Sequence, residues 1–82
     1  MERMDSMTLK DAAIGSVCTV KALKLDRAVM GRLEALGLTR GTHIRVLNRN
    51  RNGSVIIMVR GSRLALGSKI AGTIHADRYI IP

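Results

Sequence analysis

The sequence predicts a mainly β fold: one small, strongly bent barrel of about five short strands, with one short α-helix between the first and second. Three observations carry this. Short segments rich in aliphatic and β-branched residues are separated by turn signals such as Asn52-Gly53 and Gly61-Ser62. A single stretch, Asp26–Gly41, has helical period and helix punctuation at both ends. The chain has 82 residues, which makes one domain. At that size folding buries about 63% of the surface, enough for one core and no deep catalytic cavity. Met1–Met7 reads as a flexible N-terminus and residues 8–82 as the single barrel domain.

Taken in order, Leu9–Ala12 forms one turn, and Gly15 opens a strand near Ser16–Leu23. Asp26 then caps a helix by accepting from its orphan N–H groups. Val29, Leu33 and Leu36 recur at i, i+4, i+7 and make its apolar stripe, with Met30 also directed to the core. Gly37 sits where a left-handed residue ends a helix, which places Leu38 back on Leu33. Gly31 lies inside the helix at a cost of about 1 kcal/mol relative to Ala, and suits a close approach to a strand. Gly41 allows a second tight turn before a strand at Thr42–Asn48. A helix this short is marginal alone and must lie on the strands.

The polar loop Arg49–Gly53 leads into a strand at Ser54–Arg60, and Gly61-Ser62 reads as a two-residue turn with Gly first. That turn sets Arg60 opposite Arg63, Val59 opposite Leu64, Met58 opposite Ala65 and Ile57 opposite Leu66. One face is then Val55, Ile57, Val59, Leu64 and Leu66, all aliphatic and therefore buried, joined by Ile44 and Val46. The other face carries Ser54, Ile56, Met58, Arg60, Arg63 and Ala65. Gly67-Ser68 starts a helical turn at Lys69–Ala71, and Thr73–Ala76 is a last strand with Ile74 and Ala76 inward. A barrel of the SH3-like type is the economical way to close these pieces.

Composition narrows the function. Hydrophobic residues make up 46%, which argues against disorder. Tyr79 is the sole aromatic, so the core is aliphatic. The single Cys18 excludes an internal disulfide and fits a reducing compartment. Met1–Met7 carries charges with no apolar run behind it and is not a signal peptide. The longest apolar run, Val55–Val59, is far short of a membrane span. A cytoplasmic monomer that does not insert into membranes is expected. The net charge of +8 is uneven. Residues 1–41 hold seven Lys/Arg against five Asp/Glu, whereas residues 42–82 hold seven against Asp77 alone. The second half attracts an acidic protein, a nucleic acid or an anionic surface.

Cys18, His43 and His75 are the only Cys or His residues, and no pair has the spacing of a zinc site. They read as a packed thiol and two surface histidines, with no metal and no cofactor held. No phosphate loop and no nucleophile–base pair can be argued, so no catalytic residue is assigned. Arg60 and Arg63 are the unusual pair. Like charges side by side are unfavourable, and either an internal acid such as Asp77 or an external acidic surface would offset them.

Three segments recur in order: RLEALGLTRG at Arg32–Gly41, VRGSRLAL at Val59–Leu66 and IAGTIHA at Ile70–Ala76. Together they resemble the FeoA family, small cytosolic accessory proteins of bacterial ferrous-iron transport, over roughly Thr8–Ala76. A similar fold occurs as a C-terminal domain in metal-dependent repressors of the diphtheria-toxin-repressor type. The resemblance implies an SH3-like barrel, no enzymatic activity, and a partner: a ferrous-iron transporter with a cytosolic GTP-binding domain. Two departures bear on that partner. Arg40 stands where the family commonly has Pro, and Arg49-Asn50-Arg51-Asn52 replaces a Pro-containing loop.

Two functions of different class follow. The first is a protein-interaction module that supports or regulates the transporter by docking on its GTPase-containing region. The second is a small basic barrel that binds RNA or DNA, of ribosome-associated type. Charge favours the second, and the near absence of stacking aromatics opposes it. Nucleic acid is accordingly expected to bind only weakly, without sequence preference, at low salt. A whole iron-dependent repressor has no room for its winged helix. The candidate docking residues are Ile56 and Met58 at an apolar centre, with Arg45, Arg49, Arg51, Arg60 and Arg63 around them. Alternatively, Tyr79-Ile80-Ile81 folds back and covers Ile56 and Met58.

Overall fold

In a computed structural model the structure describes residues 6–23 and 25–78. The strands are β1 (Ser6–Thr8), β2 (Val17–Leu23), β3 (His43–Arg49), β4 (Val55–Val59), β5 (Ser62–Leu66) and β6 (Ile74–Arg78). Helix α1 (Arg27–Ala35) follows β2, and one helical turn, α2 (Ser68–Ala71), follows β5. All strand pairs are antiparallel, in one sheet of order β1-β6-β2-β3-β4-β5. The fold is thus the mainly β, small SH3-like one expected. Ser6 and Met7 differ from the expected flexible start, because β1 pairs with β6 and sets Met7 opposite Ala76. That raises the strand count to six and places α1 between the second and third strands.

Bulges between Val20 and Ala22 in β2, and between Val46 and Asn48 in β3, bend the sheet round its inner face. The buried strand residues of that face are aliphatic apart from the Cys18 thiol: Val20, Ile44, Val46, Val55, Ile57, Val59, Leu66, Ile74 and Ala76. Leu9 and Ala12, on the turn after β1, and Leu33 and Leu38, at and beyond the end of α1, are buried in the same core cluster.

The helix termini follow the local chemistry. Asp26 Oδ1 accepts from the Val29 N–H at 3.0 Å. At the far end the Leu38 N–H donates to the Leu33 carbonyl at 2.8 Å, and the Gly37 N–H to the Glu34 carbonyl at 2.9 Å. This pairing needs a left-handed residue between them, and Gly37 has φ +92. The reversal delivers Leu38 onto Leu33, both of them buried. It also corrects the stripe. Leu36 is 52% exposed, whereas Leu38 is fully buried. Met30 is half-buried at the helix edge rather than in the core. Gly31 approaches nothing: a Cβ there would meet no atom within 4 Å.

The β4–β5 hairpin keeps its expected faces but not its expected register. Val59 lies opposite Ser62, Met58 opposite Arg63, Ile57 opposite Leu64 and Val55 opposite Leu66. The two-residue loop is therefore Arg60-Gly61, with φ of 51 and 80, a turn that needs positive φ at both positions. The slip from the expected pairing is two residues, so parity and hence the buried face survive. Arg60 and Arg63 are consequently not opposite each other, and the like-charge pair disappears.

Candidate functional site

Outward residues of the central strands form rows across the sheet. Val17, Arg45, Met58 and Arg63 stand opposite one another on β2, β3, β4 and β5. The next row is Asn48, Ile56 and Ala65. Strands lie about 4.8 Å apart, so the two arginines flank Met58 at roughly 10 Å from each other across it. Arg45 and Arg63 are exposed, whereas Met58 and Ile56 are half-buried. Among the described residues neither arginine meets an acid. Asp77, the one acid of this half among them, is engaged instead by Lys21 at 3.4 Å. It is therefore not the internal partner considered for Arg60 or Arg63. The result is an apolar strip held between two uncompensated cations.

The seven expected docking residues separate. Arg45, Ile56, Met58 and Arg63 share the outer face. Arg51 is exposed at the tip of the β3–β4 loop, beyond the Ile56 row. Asn50 and Asn52 brace that loop through Ser54, at 2.9 Å for Asn50 Nδ2 to Ser54 Oγ and 3.0 Å for the Ser54 N–H to Asn52 Oδ1. Arg49 was expected in the loop and on the rim, but it is the last residue of β3 and faces inward. The bulge at Leu47 turns Asn48 outward opposite Ile56 and so turns Arg49 inward opposite Val55. Its Nη2 donates to the Ala12 carbonyl, and its buried Nε has no partner among the described residues. Arg60 also leaves the patch. Its Nε donates to the Gly37 carbonyl at 3.3 Å, tying the hairpin turn to the end of α1. The Tyr79–Ile81 fold-back lies outside the described residues.

Metal-capable side chains are spread. Cys18 is buried, His75 half-buried and His43 exposed, with its Nδ1 2.9 Å from Thr19 Oγ1. Among the described residues no three His, Cys, Asp or Glu side chains converge, and no helix is long and apolar enough to cross a membrane. One feature had no sequence signal: a cleft of about 370 Å³ between α1 and β2, lined by Lys21, Leu23, Met30, Glu34, Leu38 and Arg40. Its lining comes from a strand, a helix and a turn, and its charges are mixed.

The FeoA domain family model matches residues 7–78. A Methanocaldococcus jannaschii protein named "Putative Fe(2+) transport protein A" is 37% identical over 63 residues, covering 77% of this chain and 76% of that one. The crystal structure of an iron uptake regulatory protein (FeoA) superposes with a TM-score of 0.80 at 28% identity, over 92% of this chain and 99% of the other. The solution structure of FeoA from Chlorobium tepidum gives 0.84 at 27% identity, over 90% and 71%. A manganese-dependent transcriptional repressor shares the fold alone, at 20% identity and a TM-score of 0.83 over 45% of its length. With its family model spanning nearly every described residue, the chain belongs to the FeoA family.

Proposed function

We propose that the protein is a non-enzymatic interaction module of the cytoplasm. It supports or regulates a ferrous-iron transporter by docking on the cytosolic GTP-binding region. The observation that carries this reading is the row in which Arg45 and Arg63 flank Met58 on the outer sheet face. An apolar centre rimmed by cations suits a protein surface with acidic residues round an apolar contact. The rim charges would speed encounter and set the salt dependence, while Met58 and Ile56 would supply the desolvated contact.

The test is pull-down and titration calorimetry with the transporter's cytosolic region. Met58→Asp and the double change Arg45→Glu, Arg63→Glu should keep the parental melting temperature and lose binding. Charge reversal at Lys10, which is exposed on the turn after β1, should change affinity little. Parental affinity in both patch variants would refute the assignment and move attention to the α1–β2 cleft.

A further inference from the structure

The sheet ends on β5, and the geometry of the β4–β5 hairpin determines what that edge offers. In a hairpin closed by a two-residue loop, the flanking pair exchanges both backbone hydrogen bonds, and bonded and non-bonded pairs alternate from there. Here the flanking pair is Val59–Ser62, so Ile57–Leu64 and Val55–Leu66 are also bonded pairs. The N–H and C=O groups of Arg63 and Ala65 therefore point away from β4, off the sheet. Among the described residues none of these four groups has a backbone partner.

Edges are commonly blocked by a proline, a bulge or an inward-pointing charge. Strand β5 has none of these: its register with β4 is unbroken, and its charge, Arg63, lies on the outer face. Ala65 is exposed and presents only a methyl group. Leu64 is half-buried and packs against the core from the inner side, which leaves an apolar flank along the edge. The charge does not close this edge; it selects what the edge admits. Pairing two copies would bring two Arg63 side chains onto one face, between chains that each carry +8.

We propose that β5 takes an extended segment of a protein partner as an added strand, a segment that alternates acidic and apolar residues. The acidic residues would lie on the outer face beside Arg63, and the apolar ones on the inner face beside Leu64. This rests on the docking reading and extends it from a face to an edge.

The probe is a capped peptide of about eight residues alternating glutamate and valine, titrated into the full chain and followed by amide NMR. The Arg63 and Ala65 amides should shift and gain about tenfold or more protection from solvent exchange. Affinity should fall as salt rises. Ala65→Pro removes one outward N–H and no bond to β4, and should weaken the peptide about tenfold or more. Should that variant misfold, N-methylated peptides make the same test on the parent protein. Methyl groups on one alternate set of peptide nitrogens should abolish binding, and those on the other set should not. Equal binding by both methylated peptides, or no change at the Arg63 and Ala65 amides, overturns the proposal. The transporter's cytosolic region is assayed in parallel. If it binds Ala65→Pro and parent equally while Met58→Asp fails, docking stands and strand addition falls. If the peptide adds to β5 but the parent does not bind that region, the docking reading falls and the edge remains an acceptor for another acidic segment.

Discussion

Two glycines of one helix, one at its centre and one just past its C-terminal end, should respond to the same substitution with opposite signs. Gly31 lies inside α1, exposed, and a Cβ there meets no atom within 4 Å. Gly31→Ala should therefore stabilise by up to about 1 kcal/mol through helix propensity and a stiffer unfolded chain. For a domain of this size that raises Tm by about 4–8 °C. Gly37 is the reverse. Its φ of +92 strains any L side chain, at about 1–3 kcal/mol. An added Cβ would also stand 2.6 Å from Arg60 Cδ. That side chain is flexible and can yield, but yielding breaks the Arg60 Nε bond to the Gly37 carbonyl, worth about 0.5–1 kcal/mol at an exposed site. Gly37→Ala should then cost about 1.5–4 kcal/mol and lower Tm by about 6–30 °C. Calorimetry or far-UV circular dichroism melts read both. A double-mutant cycle with Arg60→Ala isolates the clash, because Gly37→Ala should cost about 0.5–1 kcal/mol less in the Arg60→Ala background, where there is no bond left to break. If both single variants shift Tm in the same direction, the helix-end geometry is wrong.

Three further outcomes follow from the packing and the site. Leu33→Ala should cost about 2–5 kcal/mol, and Leu36→Ala no more than about 0.5 kcal/mol, by guanidinium denaturation; equal costs would restore the simple stripe. Arg49→Ala should cost about 1–3 kcal/mol by stranding the Ala12 carbonyl, whereas Arg51→Ala should be near neutral by the same guanidinium denaturation. The dialysed, chelator-treated protein should retain no stoichiometric metal through Cys18, His43 and His75 on elemental analysis. One zinc or iron per chain, lost in Cys18→Ser, would show a site that the separated side chains do not suggest.

Features governed by neighbouring residues were legible in the sequence. Asp26, Gly37 and Leu38 specify a capped and closed helix from a few adjacent side chains, and the structure has all three in place. The buried face of β4 and β5 was legible because a two-residue slip conserves parity. The register itself was not. The turn uses Arg60 at positive φ, which sequence favours only weakly for a non-glycine. Features set by long-range pairing were hidden. β1 is three residues long and exists through its pairing with β6 near the other end of the chain. The Leu47 bulge depends on how β3 meets β4, and it alone decides that Arg49 points inward. Arg45, Ile56, Met58 and Arg63 kept their places because alternation fixes the face of a strand residue once one neighbour is known to be buried.

Chemical-shift mapping of the isotopically labelled chain against the transporter's cytosolic region tests the docking surface most directly. Perturbations should concentrate at Arg45, Ile56, Met58 and Arg63 and weaken as salt rises, with Lys21, Glu34 and Arg40 unmoved. Perturbations confined to the α1–β2 cleft, with the outer sheet face silent, would contradict that docking surface.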